Sequence, residues 1–139
     1  MLSGGHTAEP RDSAFLFRST DLCNWEYMHP FYEPTRFSDV GEDCAVPDFF
    51  PWGDRHVLLF ASHLRGSQYY VGTYKEHRFT PESHGRMAYG PPSGRSGTYN
   101  EAYHLAAPDG RCILIARVAE GTAQEYFQGS GWSGTMGLP

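Results

Sequence analysis

What most constrains the fold of this chain is the spacing of its turns. Short apolar and aromatic runs recur roughly every ten residues, each closed by Gly, Pro, Asp or Ser, and no segment keeps a helical repeat beyond about two turns. The runs place strands at Ala14 to Arg18, Asp48 to Phe50, His56 to Ser62, Gln68 to Tyr74, Met87 to Tyr89, Tyr99 to Leu105, Cys112 to Val118 and Trp132 to Leu138. Gly53-Asp54 and Pro108-Asp109-Gly110 read as hairpin turns, where Gly supplies the positive φ that such turns demand. The fold class is therefore all-β, built of short antiparallel strands, and the spacing fits a sandwich, a barrel or propeller blades alike. Pro91 to Gly97 is a loop that no strand accommodates, and it reads as a link between two modules of one domain.

Composition narrows the function. A chain of 139 residues holds one modest domain. Its net charge of −5, with the basic residues scattered, offers no stripe for a phosphate backbone, so nucleic acid is not an expected partner. No apolar run approaches the roughly 20 residues that cross a bilayer, so no membrane partner is expected either. Cys23, Cys44 and Cys112 are an odd, dispersed set without a C-x-x-C pair, which argues against a disulfide framework and against a zinc site and leaves buried or free thiols. The last residues begin another strand-like element and stop, the expectation for a piece of a longer protein.

The stretch Gly41 to Phe60 carries the chemistry. It sets Glu42, Asp43 and Asp48 beside an apolar strand, and carboxylates at the mouth of a rigid sheet are what sugar cleavage needs. Four segments, Phe15 to Tyr27, Pro47 to Leu59, Tyr69 to Tyr74 and Gly131 to Pro139, resemble in order successive motifs of glycoside hydrolase family 32, the invertase, inulinase and levanase group. The resemblance implies a five-bladed β-propeller catalytic domain, of which residues 1–139 would supply about two to three blades, truncated at both ends. It further implies action on β-fructofuranosides with retention of configuration, a carbohydrate partner, no cofactor and no metal. The missing parts of the same propeller would be the chain's other partner.

That family uses an aspartate nucleophile in an N-D-P-N-G-like motif, an aspartate in R-D-P and a glutamate acid/base in E-C-P-D. Only the third has a counterpart here, in altered form: Glu42-Asp43-Cys44-Ala45-Val46-Pro47-Asp48 separates the acid from Pro-Asp by extra residues. The acid/base role falls on Glu42, with Asp43 as the competing assignment. Asp43 beside it is expected to help keep Glu42 protonated, because a neighbouring negative charge raises a carboxyl pKa. Arg11-Asp12-Ser13 lies too near the next strand to be the R-D-P element, so Asp12 is set aside.

Asp48 is expected to accept backbone N–H bonds and fix the loop that carries Glu42. His63, Arg65 and Gln68 lie between two strands where the family has polar residues that reach the sugar, and His63 and Arg65 are taken forward as substrate-binding candidates. Trp25, Trp52 and Trp132 are expected in the core. Glu101 is an acid without an assigned role. Two rival readings stand beside the enzyme: a non-catalytic carbohydrate-binding β domain, and an inactive truncated fragment.

Overall fold

A computed structural model describes residues 1–6, 8, 11–87, 99–118, 129, 131 and 135–137. The expected loop at 91–97, Tyr89 and Trp132 fall outside the described residues. The described strands form three antiparallel sheets. The first is β1 (Leu2–His6), β2 (Asp12–Arg18) and β3 (Glu26–Pro30) in order. The middle sheet is the up-and-down meander β4 (Ala45–Trp52), β5 (Arg55–Ser62), β6 (Gly66–Lys75) and β7 (Arg78–Arg86). The third is β8 (Asn100–Ala106) beside β9 (Cys112–Val118), with the short β10 (Thr135–Met136) on its far side.

The middle sheet is buried on both faces. Leu58 and Phe60 of β5, Tyr70 of β6 and Phe79 of β7 pack with Ala14, Phe31, Tyr32 and Cys44 in one core cluster. The residues that alternate with them, Phe50 and Leu59, turn the other way and join Ala102 and Ala116 of the third sheet. Successive side chains of a strand point to opposite faces, so a strand covered on both sides needs an unbroken apolar run, and Val57 to Ala61 is that run. Each fully buried Leu or Phe contributes about 1.5–3 kcal/mol of transfer free energy.

Backbone bonds stitch the first sheet to the middle one. Phe31 N–H donates to Ala14 O at 2.7 Å, and Phe79 N–H donates to Phe31 O at 2.9 Å, so the strip after β3 bridges β2 and β7. Cys44 N–H donates to Gly5 O at 2.9 Å on the other side. Gly4 permits this approach, since a Cβ there would sit 1.6 Å from the Cys44 carbonyl oxygen.

The two expected hairpin turns are present. Trp52 faces Arg55 across Gly53-Asp54, with Gly53 at φ 59°, and Ala106 faces Cys112 around a turn in which Gly110 has φ 86°. Other expectations need correction. β1, β3 and β7 lie outside the expected strands, and Met87 ends the middle sheet as a bend whose N–H donates to Ser67 O at 2.9 Å. Trp25 and Trp52 are surface residues, 39% and 56% exposed, because each sits at the tip of its sheet. Trp25 Nε1–H is spent locally on Leu22 O, and Trp52 flanks a cleft of about 370 Å³ with Phe50, His104 and Arg111. Of the cysteines, Cys44 is buried, Cys23 exposed and Cys112 between, all three as free thiols.

Leu58 is inaccessible to solvent on the shared strand. Leu58→Ala is expected to lower unfolding free energy by about 2–5 kcal/mol, whereas Leu105→Ala, at a residue 56% exposed, is expected to change it by no more than about 0.5 kcal/mol. Urea denaturation midpoints of the two variants check this.

Candidate functional site

The acidic pair stands at the entrance to the middle sheet, and the extra residues of its motif are absorbed there by a bulge. Ala45 lies opposite Ala61 and Asp48 opposite Leu59, so three steps along β4 match two along β5, with Val46 in the left-handed region at φ 47°. From Asp48 onward the register is regular. The bulge turns the chain back, and Glu42 and Asp43 then straddle a single hairpin turn, Ser62 to Arg65.

Glu42 grips that turn from inside. Its side chain has no exposed surface, and hydrogen bonds converge on both oxygens. Ser62 Oγ–H (2.7 Å), Arg65 Nε–H (2.7 Å) and Gln68 Nε2–H (3.0 Å) donate to Oε1. Asp39 N–H (2.9 Å) and Arg65 Nη2–H donate to Oε2. Burial pushes the carboxyl pKa up, but the Arg65, Asp39, Ser62 and Gln68 hydrogen bonds outweigh it and hold Glu42 below the ordinary glutamate range. The direction is opposite to the one expected from Asp43, whose charge is turned outward.

Asp43 holds the turn from outside. Its Oδ1 accepts the His63 N–H at 2.9 Å and its Oδ2 lies 2.7 Å from His63 Nδ1, with the Asp43 side chain 22% exposed and that of His63 81% exposed. The two candidate acids thus differ sharply in access: one is enclosed by donors, the other faces solvent beside an imidazole.

The loop before Glu42 is pinned from two sheets. Arg11 Nη1–H donates to Ser38 O at 2.8 Å and Asp12 N–H to Ser38 Oγ at 3.1 Å, while Arg65 Nη2–H reaches Phe37 O at 2.7 Å. Beneath it Asp12 is wholly buried, accepting from Tyr32 Oη at 2.6 Å and Tyr70 Oη at 2.9 Å. Burial, followed by the Asp12 charge, pushes the Tyr70 phenol upward, so it stays a donor at neutral pH. Burial likewise pushes the Cys44 thiol upward, which leaves it a packing residue.

Of the residues singled out from sequence, Glu42, Asp43, His63 and Arg65 meet in this one cluster. Asp48 does not join them. Its Oδ2 accepts the backbone N–H of His104 at 2.6 Å and lies 2.8 Å from His104 Nδ1, so the backbone group it fixes belongs to β8 and the link runs between the middle and third sheets. Glu101 pairs with Arg117 at 3.3 Å, away from Glu42's donors. Asp39, Ser62 and His84 were not singled out. Ser62 had one signal, a hydroxyl ending an apolar run just before a Gly-closed turn. Among the described residues no group of three or more His, Cys, Asp or Glu side chains is arranged to hold a metal.

Comparison with known proteins adds three findings. A family model described as "Glycosyl hydrolases family 32 N-terminal domain" matches residues 1–139. A sucrose-6-phosphate hydrolase of Zymomonas mobilis subsp. mobilis is 30% identical over 139 residues, covering 89% of this chain and 26% of that protein. One of Salmonella typhimurium is 27% identical over 148 residues, covering 95% of this chain and 31% of that protein. The chain therefore spans about a quarter to a third of the length of these curated relatives. A solved glycoside hydrolase family 32 structure from Bifidobacterium adolescentis superposes with a TM-score of 0.60 at 16% identity, over 84% of this chain and 20% of that one, a likeness of fold.

The ion pair predicts a pH signature. Glu42 has a depressed pKa in the folded state, so it contributes stability above the ordinary glutamate value, and that contribution is lost as pH falls toward the folded pKa. Arg65→Met would strand the carboxylate, at an expected cost of about 3–5 kcal/mol near neutral pH. The gap from the parent should narrow toward about pH 4, as the stranded acid takes up a proton. Urea unfolding at a series of pH values reads it; a gap that stays constant with pH would contradict the assigned charge.

Proposed function

The chain belongs to the glycosyl hydrolase family 32 N-terminal domains, and from that membership we propose that it is a propeller segment of an enzyme that cleaves β-fructofuranosides by a retaining double displacement. Each of the three sheets corresponds in this reading to one blade or part of one, and the active-site funnel runs past the acidic pair. The observation that carries the proposal is the acidic pair itself, set at the entry to a sheet ahead of Pro47-Asp48, in the order that the family's acid/base motif has. The relatives named sucrose-6-phosphate hydrolases support a fructoside as substrate.

In such a mechanism one carboxylate attacks the anomeric carbon, and a second, about 5–5.5 Å away, protonates the leaving oxygen and then activates water. The sequence contains no Asn-Asp-Pro, so the attacking carboxylate comes from elsewhere in the complete enzyme and the isolated 139-residue chain is expected to hydrolyse nothing. Glu42 is the proposed acid/base. Arg65 favours its carboxylate form, the one that activates water in the second displacement; the first displacement needs the acid, whose protonation would replace the charge-assisted bond by a weaker neutral one and loosen the Arg65 grip. Asp43 is the second reading, favoured by its access to solvent.

The experiment is a comparison in the full-length parent enzyme. Glu42→Gln is expected to lower kcat on sucrose or a fructan by roughly 10²–10⁴-fold, with Asp43→Asn near the parent value. The reverse pattern would move the role to Asp43. Fructose release by the isolated chain would overturn the account of it as a segment.

A further inference from the structure

Trp52 stands exposed at the end of the middle sheet opposite the acidic pair, and the fold gives its ring a built setting. Phe50 and Trp52 lie two apart on β4, so both side chains turn toward the third sheet. Phe50 meets that sheet, its ring stacked on His104 at 3.9 Å and 21°. Trp52 does not: its only ring contact among the described residues is Phe50, at 6.5 Å and 75°. The wall facing it is Ala106, Ala107 and Gly110, whose side chains are too short to close the gap. The sheets part there and leave the cleft of about 370 Å³, a size that falls within the roughly 300–1,000 Å³ of small-molecule sites. A Cβ added at Gly53 or at Gly110, one on each side of the cleft, would meet nothing within 4 Å.

Polar groups border this apolar floor. Trp25 Nε1–H is held by Leu22 O, but Trp52 Nε1–H has no hydrogen-bond partner among the described residues. Arg111 Nε–H donates to Asp109 Oδ2 at 2.8 Å, which steadies the guanidinium and leaves its Nη groups as donors without a protein acceptor among those residues. His104 Nδ1 lies 2.8 Å from Asp48 Oδ2, and a carboxylate oxygen accepts, so Nδ1 carries the hydrogen and Nε2 of the neutral ring is an acceptor. An aromatic face flanked by both donors and an acceptor suits a ring that is apolar on its face and hydroxylated at its edge. The charges at the rim are already matched, Arg111 by Asp109 and Arg55 by Glu82 at 3.0 Å, so the ligand they fit is neutral. A pyranose chair sets several C–H bonds on one flat face that lies against an indole, whereas a puckered furanose offers less.

We propose that this cleft is a binding site for a neutral hexopyranoside, stacked on Trp52 with its hydroxyls on Arg111 and His104. The site is separate from the acidic pair, since Ala45 and Trp52 are the two ends of β4 and a strand of that length spans roughly 23 Å. It holds a sugar without taking part in cleavage, and the inference does not depend on the hydrolase reading.

The test is a titration of the chain with methyl β-D-glucopyranoside, methyl β-D-galactopyranoside and methyl α-D-mannopyranoside, read at the ¹H–¹⁵N indole signals, with Trp52 identified as the one missing in Trp52→Tyr. The Trp52 signal is expected to shift saturably with at least one of these sugars while that of Trp25 stays in place. No shift with any of them overturns the proposal. So does a shift produced equally by methyl β-D-fructofuranoside, or one produced by raising the protein concentration without sugar, which would mark an interface between copies. Trp52 is exposed, so Trp52→Ala is expected to keep the fold, and an unchanged urea midpoint checks it. In the full-length parent, calorimetry with the sugar that binds is expected to show affinity about tenfold weaker in Trp52→Ala and severalfold weaker in Arg111→Met, with kcat on sucrose unchanged. Equal affinity in the parent and Trp52→Ala, or no binding by the parent, overturns the site. A parent that binds the pyranoside but releases no fructose from fructosides overturns the hydrolase reading and leaves this site standing.

Discussion

Strand β5 is the element on which both cores depend. Leu58 and Phe60 enter the cluster shared with the first sheet, and Leu59 between them enters the one shared with the third. Because side chains alternate with a period of two, a slip of one residue in its pairing would exchange the two sets and expose neither core to its proper partner. The register is held at one end by the two-residue turn at Gly53-Asp54 and at the other by the bulge between Ala45 and Asp48. The same constraint places the site. The hairpin turn that Glu42 and Asp43 straddle begins with Ser62, the last residue of β5, so the packing of β5 decides where the acidic pair's partners stand.

Enclosing a carboxylate is costly, and the Glu42–Arg65 pair is weak evidence of stabilisation by itself. Apolar side chains of the same volume would hold the loop and hairpin together as firmly. What an apolar pair would not supply is a negative charge or a place for a proton. The donors are arranged unevenly in this respect: Oε2 meets only groups that cannot accept, while Oε1 meets a buried amide that can serve either way.

The strands and turns legible in the sequence are those whose signal is local. Gly53 and Gly110 announce turns because only glycine enters positive φ freely, and Cys112 to Ala116 is an unbroken apolar run. The β6–β7 turn gave no such sign. Its two residues, Glu76 and His77, both adopt positive φ, 51° and 64°, without a glycine or asparagine, and β7 after it alternates too weakly to read as a strand. Likewise Leu2–His6 and Glu26–Pro30 carry little apolar content and are strands because β2 lies between them. At the site, Glu42 and Asp43 are legible as an acidic pair, but apart from Asp39 N–H their donors are 20 to 26 residues away on the hairpin and in β6. The partner of Asp48 is 56 residues away. Tertiary pairing of this kind leaves no mark on local pattern, which is why Asp48 reads as a support for its own loop and proves to be a clamp on the next sheet.

The same bulge recurs where the third sheet begins. In β4 the register shifts between Ala45 and Asp48 with Val46 at φ 47°, and in β8 it shifts between Asn100 and Tyr103 with Glu101 at φ 55°. A β-branched residue at positive φ costs on the order of 1–2 kcal/mol, so the conformation persists only because both sides are fixed. For Val46 those sides are Cys44, bonded to Gly5, and Asp48, bonded to His104. For Glu101 they are Asn100, whose Oδ1 accepts from Ser67 Oγ at 3.3 Å, and Ala102, buried in the second core. In each case the first strand of a sheet is bent at its entry by ties to the neighbouring sheet. The bend frees the residues ahead of it from the strict alternation that would otherwise direct every second side chain into a core. In the middle sheet, the acids ahead of the bulge reach a turn instead of a core and grip it from opposite sides, Glu42 inward to Arg65 and Asp43 outward to His63.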